Sequence, residues 1–470
     1  MNSRGISFFL SLFCFPISFL AFINILYASY FDYFLSLETY IITLVISLVI
    51  GATLFNYGKS SNKNINFFEQ LILIIISYFL TSILIAIPFY LSNYQVTLVN
   101  SIFESISGLT GTGFSIFKNI KYLDPTLILW RSSSQWIGGL FFLFFLIIIF
   151  SNKSFNYKMT NLSFSGESNT NSKENIKDNL LRVLFIYSVL SIFILTLLNI
   201  SGIRLFNSLN MSMTLVSGGG FLPSDSIEKI ISNNFQKIIL IFSLLISMLN
   251  FYLLFNLFNK KTLVKEHQED LYLIILSIIF CILIYFYDYK SLDLVISVVS
   301  SLANSGLTLI KSDNNLSLYF LLITIIGGSL ISNTSGIKLT RFYILLKITS
   351  LEIIKLISPN SVINKTIFNS DRKISEDNIK ISFLIFISFF LSLLILSSLL
   401  VVDNIGFEKS FKLSILTLTN TVNSEMYNMH NINFTNLLTS SKISLILFMI
   451  IGKIELISFF LIFKKVIFKN

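Results

Sequence analysis

The chain has 470 residues, 54% of them hydrophobic and only 12% charged, with a formal net charge of +10 and a mean hydropathy of +0.79. Soluble domains devote about 25% of their residues to Asp, Glu, Lys and Arg, so this composition excludes an ordinary water-soluble enzyme or nucleic-acid-binding domain. The positive balance reads instead as lysines flanking membrane spans. Cys14 and Cys281 lie in apolar runs, and His267 and His430 lie in separate polar connections. That placement argues against a disulfide framework or a metal cluster.

Apolar runs of the length a helix needs to cross hydrocarbon are predicted over 6–27, 39–56, 68–91, 128–150, 180–200, 236–258, 271–288, 315–349 (interrupted), 380–402 and 443–463. The first is too long for the apolar region of a signal peptide and reads as a retained span. An even number of crossings puts both termini on one side. Lys59 and Lys63 fall there, as do Lys153, Lys158, Lys173 and Lys177, then Lys260, Lys261 and Lys265. Lys355, Lys365, Arg372 and Lys373, and in the tail Lys464, Lys465 and Lys469, follow suit. The positive-inside rule makes that side cytoplasmic; Lys118, Lys121, Lys409 and Lys412 are exceptions on the other.

The external connections repeat one pattern. A half-apolar helix too short to span (99–110, 206–216, 293–302 and 411–418) leads into a small polar quartet, and a full span follows. The quartets are Thr110-Gly111-Thr112-Gly113, Ser217-Gly218-Gly219-Gly220, Ala303-Asn304-Ser305-Gly306 and Thr419-Asn420-Thr421-Val422. Ser105, Ser212 and Ser414 each stand eight residues before the last member of their quartet, and Phe114, Phe221 and Leu307 follow three of the quartets. Recurrence at a fixed interval marks an internal repeat. The predicted fold is an all-α integral membrane protein: four tandem span–pore-helix–span repeats around one pore, after two extra N-terminal spans. The corresponding boundaries are 1–60 for the two N-terminal helices, then 61–155, 175–260, 268–350 (with a broken second span) and 375–470 for the repeats.

A cation leaving water needs its hydration shell replaced, and a ring of backbone carbonyls does this. Extended backbone at membrane depth is tolerated only beside a wet cavity. Such a strand favours glycine, which reaches backbone conformations denied to other residues, with hydroxyls beside it. The short helix before each strand points its slightly negative C-terminus at the ion. None of the quartets holds a carboxylate. Glu104, on the first short helix, either faces the outer pore or anchors that helix; Asp225 reads as an ordinary external acid.

The eighth span is interrupted by Gly327-Gly328-Ser329-Leu330-Ile331-Ser332-Asn333-Thr334-Ser335-Gly336, followed by Ile337, Lys338 and Arg341. Ser-Asn-Thr-Ser at mid-depth requires polar surroundings. A broken helix whose middle lies in the pore accounts for it better than a helix end and a cytoplasmic loop. In the last span Lys453 and Glu455 are charges in apolar surroundings, facing a water path or snorkelling outward. Lys453 suits a gate, bound to carbonyls or to the hydroxyls of Ser332, Thr334 and Ser335.

These residues resemble the TrkH/KtrB/HKT superfamily of potassium transporter subunits, and the two additional N-terminal spans resemble the TrkH branch most. The carriers are Glu104-Ser105-Ile106-Ser107-Gly108 before the first quartet, Trp130-Arg131-Ser132-Ser133-Ser134-Gln135-Trp136-Ile137-Gly138-Gly139 after it, Gly218-Gly219-Gly220-Phe221, the mid-membrane Gly327, Gly328, Ser332, Gly336, Ile337, Lys338 and Arg341, and Gly452-Lys453-Ile454-Glu455. The resemblance implies K+ as the transported ion, held at Thr110, Thr112, Ser217, Asn304 and Asn420. It implies a gate formed by Gly327, Gly328, Ser332, Asn333, Thr334, Ser335, Gly336 and Lys453. It further implies a homodimer in a bacterial inner membrane, with a cytosolic nucleotide-binding partner of the TrkA or KtrA kind. The chain itself has no P-loop or dinucleotide fingerprint, so any organic cofactor belongs to that partner.

Two departures from the family pattern bear on selectivity rather than on fold. Val422 stands where a glycine is usual, and a β-branched residue occupies left-handed backbone poorly, so the fourth strand is redrawn or coordinates weakly. Ile331 and Ser335 replace glycines and stiffen the mid-membrane loop. A sodium-permeable or weakly selective channel of the same fold, an ion-coupled secondary transporter and a nonconducting descendant stay open as alternatives.

Overall fold

In a computed structural model of the chain, residues 2–60, 65–150, 174–251, 253, 267–285, 291–310, 314–358, 366–368 and 374–454 are described. Most of the basic connections expected on the cytoplasmic side, together with Glu455 and the tail after it, lie outside these residues. Two helices, α1 (Ser3–Tyr30) and α2 (Phe34–Gly58), pair with each other. α1 also packs on α3 (Phe67–Tyr90) and α5 (Pro125–Phe150), with Phe13 edge-on to Phe141 at 4.7 Å between ring centroids. A capping box starts α3: the Asn66 side chain receives the N3 backbone N–H, and Glu69 receives that of Asn66 at 3.0 Å.

Four short helices recur, each set between two flanking helices: α4 (Leu98–Thr110), α7 (Leu205–Ser217), α10 (Ser291–Leu302) and α14 (Phe407–Leu418), of 12 or 13 residues each. At 1.5 Å per residue none is long enough to cross hydrocarbon. Each lies between its own flanking helices. These are α3 and α5 for the first, α6 (Glu174–Ile200) and α8 (Asn234–Met248) for the second, α9 (Gln268–Ile284) and α11 (Asn314–Ile326) for the third, and α13 (Glu376–Val402) and α15 (Thr439–Ile454) for the fourth.

The ring closes through a second set of contacts. α4 packs on α15, α7 on α5, α10 on α8 and α14 on α11, so every short helix also leans on the second span of the preceding repeat, and the first leans on the last. That cyclic order places four equivalent units around one axis.

Among the described residues, five helices are both long and apolar enough to cross a membrane: Ser3–Tyr30, Ser36–Gly58, Phe68–Tyr90, Leu180–Ile200 and Glu376–Val402. α8, in the span expected over 236–258, ends at Met248, where Leu249 turns extended at ψ 161°; the backbone is helical again at Phe251, and residues 254–258 lie outside the described residues. Its end is fastened by tertiary hydrogen bonds: Ser329 N–H donates to the Met248 carbonyl and Phe251 N–H to the Ile331 carbonyl, each at 2.9 Å. The eighth span is broken as its sequence requires, into α11 and α12 (Leu339–Ile357), with non-helical backbone between them. Lys412, an exception to the charge rule, is buried on α14, where Glu408 pairs with it at 2.7 Å and Ser317 accepts from it at 3.1 Å.

Candidate functional site

The four quartets fall in register. In each, the second residue closes its short helix in left-handed backbone: Gly111 at φ 79°, Gly218 at 68°, Asn304 at 55° and Asn420 at 50°. Glycine and asparagine are the two residues that enter this region most readily, which explains the alternation at that position. At the fourth position Gly113 and Gly306 have positive φ, whereas Gly220 and Val422 do not. The left-handed conformation expected to exclude a β-branched residue is therefore not asked of Val422; the fourth strand is redrawn around it.

Neighbouring quartets touch around the whole circle. A β-carbon built on Gly111 would lie 3.9 Å from the Gly219 α-carbon, and one on Gly218 3.6 Å from the Ala303 carbonyl oxygen. Asn304 Nδ2 donates to Thr421 Oγ1 at 3.3 Å, and Asn420 Nδ2 to Thr112 Oγ1 at 3.0 Å, which completes the ring.

The polar side chains of the quartets hold the strands, as the hydroxyls beside the glycines were expected to do. Thr110 Oγ1 donates to the Ile106 carbonyl and shares a hydrogen bond with Thr112, both 2.7 Å long. Ser217 Oγ donates to the Thr214 carbonyl at 2.8 Å. The two asparagines also fasten the strands to the spans, Asn304 to the Thr324 carbonyl and Asn420 to the Met449 carbonyl, each at 2.9 Å.

α5 explains the segment that follows the first quartet. Trp130 Nε1 donates to the Ile85 carbonyl at 3.0 Å and Trp136 Nε1 to Ser191 Oγ at 2.8 Å, tying α5 to α3 and α6. A β-carbon on Gly138 would stand 2.0 Å from the Leu109 carbonyl oxygen; on Gly452 in α15 it would stand 2.4 Å from the Leu418 carbonyl oxygen. These bare positions let the ends of the first and fourth short helices sit directly on a span. Gln135 Oε1 accepts from Phe221 N–H at 3.2 Å and presses on Gly219.

Glu104 is an anchor and does not face the pore. It is fully buried, paired with Arg131 Nε at 2.8 Å, and accepts from Ser115 Oγ at 3.0 Å and Ile116 N–H at 2.8 Å. The Arg131 guanidinium lies 4.1 Å from the Phe221 ring centroid. Above the quartets opens a cavity of about 580 Å³, floored by Gly113, Gly220, Gly306 and Val422. Asp225 borders it and pairs with Lys229 at 2.8 Å. Partial burial alone would raise the Asp225 pKa, but hydrogen bonds from Lys229 and from the Lys121 backbone hold it below the usual carboxylate value.

Beneath the quartets the Gly327–Gly336 segment bridges the second and fourth repeats. Asn333 Nδ2 donates to the Val216 carbonyl at the end of α7, and Ser335 Oγ to Asn420 Oδ1 in the fourth quartet, both at 2.8 Å. Lys453 Nζ donates to the Asn333 carbonyl at 2.8 Å and lies 4.5 Å from the Phe142 ring centroid. A β-carbon on Gly111 would be 3.8 Å from that ammonium, so Lys453 sits directly under the first quartet. The acceptors expected for Lys453 among the loop hydroxyls are divided otherwise. Lys338 Nζ donates to the Thr334 carbonyl, to Thr334 Oγ1 at 3.0 Å and to Ser332 at 3.3 Å. Gly327 and Gly336 bound the break with φ 71° and 82°.

Sequence reasoning missed Glu269. At the start of α9, its Oε1 accepts Leu330 N–H at 3.0 Å and Thr340 N–H at 3.2 Å, fastening both the break and the start of α12. The available signal was an acidic pair, Glu269-Asp270, opening an apolar helix; Asp270 accepts Asn250 N–H at 2.8 Å beside it.

The family model described as TrkH, cation transport protein, matches residues 36–284. The chain belongs to the TrkH family of cation transport proteins. Similar curated proteins include an uncharacterized cation transporter of Methanocaldococcus jannaschii, 28% identical over 87% of this chain and 85% of that protein. The Trk system potassium uptake protein TrkG of Escherichia coli is 26% identical over 79% and 80% respectively. Among solved structures, the potassium transporter TrkH from Vibrio parahaemolyticus superposes with a TM-score of 0.85 over 98% of both chains, at 19% identity. This TrkH-family chain therefore has the fold of a multi-pass cation transport protein and is not an enzyme.

Proposed function

We propose that this TrkH-family chain is a potassium uptake channel subunit. Potassium passes in single file between residues 110–113, 217–220, 303–306 and 419–422, coordinated by their backbone carbonyls. The observation that carries this reading is the register of the quartets: four left-handed closures at one level, joined side to side into a closed circle. Its similarity to proteins named for potassium uptake supports the choice of ion. The repeat boundaries near 61–155, 175–260, 268–350 and 375–470 follow from the same reading.

The 327–336 segment acts as a gate under the filter. It runs between two repeats, and its middle carbonyl is held by Lys453. The chain works as a homodimer in a bacterial inner membrane, with both termini cytoplasmic, under the control of a nucleotide-binding cytosolic partner of the TrkA or KtrA kind. A weakly selective cation pathway is the second reading, favoured by Val422 in place of a fourth glycine. The test is growth on limiting potassium of cells lacking their own uptake systems, with rubidium-86 uptake measured in the same cells. Rescue by the parent chain and not by Gly113→Val is expected; absence of rescue at normal membrane abundance, with or without a cytosolic partner, contradicts the proposal.

A further inference from the structure

The outermost level of the candidate filter is not an open ring. A β-carbon built on Gly220 would lie 2.6 Å from Val422 Cβ, one on Gly306 2.6 Å from Val422 Cγ1, and one on Gly113 3.1 Å from Val422 Cγ2. One isopropyl group therefore reaches all three glycines, including Gly220 in the repeat across the circle. Burial tells the same story independently. Gly113, Gly220 and Gly306 all border the outer cavity yet are buried, while Val422 is only half-buried. The valine is the surface that the cavity meets, and the glycines lie behind it. The Val422 carbonyl also accepts Ser424 N–H at 3.0 Å in a tight turn, so this quadrant presents methyl groups where the others present backbone.

We propose that the Val422 side chain is an apolar stopper in the outermost ring. A monovalent cation, part-stripped of water, passes only when the isopropyl group is displaced toward the outer cavity, and this displacement limits flux. The proposal rests on the filter reading above. A methyl group supplies no ligand for a cation, so an ion at this level cannot coexist with the seated side chain. Val422 is outside the left-handed region, so alanine and isoleucine adopt its backbone without strain, and the three glycines packed around it have no side chains that would collapse into the vacated space.

Rubidium-86 uptake into proteoliposomes holding the purified full-length chain tests this, at matched amounts of incorporated protein. Val422→Gly is expected to raise flux about tenfold, the change that lowering a barrier by about 1.4 kcal/mol produces. Val422→Ala should give a smaller rise, and Val422→Ile, which adds a methyl group to the apolar side chain, should fall below the parent. Glycine and alanine variants that both conduct no faster than the parent overturn the stopper, as does an isoleucine variant as fast as the glycine one. If Val422→Gly does not assemble, the alanine and isoleucine variants alone decide. Gly113→Val is measured alongside. Its loss of flux with an unchanged Val422→Gly discards the stopper and keeps the filter, whereas its parental flux discards the filter itself.

Discussion

Replacing Lys453 by methionine is expected to open the pathway. The ammonium donates to the Asn333 carbonyl at 2.8 Å and faces the Phe142 ring at 4.5 Å, while the same asparagine is tied to the end of α7. A hydrogen bond to a charged group contributes about 1.5–3 kcal/mol. If it exists only with the loop seated, its loss shifts the closed–open equilibrium roughly tenfold to 150-fold toward open. Methionine retains the unbranched apolar stem, so packing against Phe142 survives and the change reports on the charge. The ammonium also lies beside Gly111, where a positive charge repels an incoming cation; removing it acts in the same direction. The assay is rubidium flux from proteoliposomes without any cytosolic partner. Flux should rise at least tenfold in Lys453→Met and return toward the parent in Lys453→Arg. A methionine variant that conducts at the parental rate, with equal incorporation, refutes both the seated-loop argument and the electrostatic one.

Gly113→Val places a branched side chain at φ 78°, which costs about 1–2 kcal/mol locally, and sets its β-carbon 3.1 Å from Val422 Cγ2; uptake should fall more than tenfold while membrane abundance holds. Glu104→Gln leaves Arg131 buried without its carboxylate, a loss of about 3–5 kcal/mol, so the unfolding temperature in detergent should drop, and adding Arg131→Met should restore at least half of it. Glu269→Gln weakens the acceptor for Leu330 and Thr340 by about 1 kcal/mol; partner-free ion leak should rise severalfold, less than in Lys453→Met, with protein yield unchanged.

Much of this site was legible in the sequence because backbone demands leave local marks. The second position of every quartet must turn left-handed, and only Gly111, Gly218, Asn304 and Asn420 satisfy it. The broken eighth span was legible too, since a Ser-Asn-Thr-Ser run inside apolar sequence needs polar surroundings at membrane depth. What escaped was set by partners distant in the chain. Nothing between Leu245 and Phe251 marks the break after Met248: no glycine or proline stands there, and the helix is interrupted where the mid-membrane loop takes its backbone hydrogen bonds. The division of labour between Lys338 and Lys453 escaped likewise. Both lysines were visible, but Lys453 takes its acceptor, the Asn333 carbonyl, from 120 residues away, while Lys338 takes Ser332 and Thr334 from the loop just before it. At Val422 the sequence showed that the fourth strand would be redrawn or coordinate weakly, but not that its side chain packs on Gly113, Gly220 and Gly306, which come from three other repeats.

The central claim is that four quartets enclose one ion path. Anomalous scattering from crystals of the chain grown in rubidium tests it most directly, because it locates the ion without reference to activity. The account predicts rubidium on the axis, within ligand distance of carbonyls from 110–113, 217–220, 303–306 and 419–422 together. Rubidium bound only at side-chain carboxylates, or sites confined to one side of the circle, would contradict it.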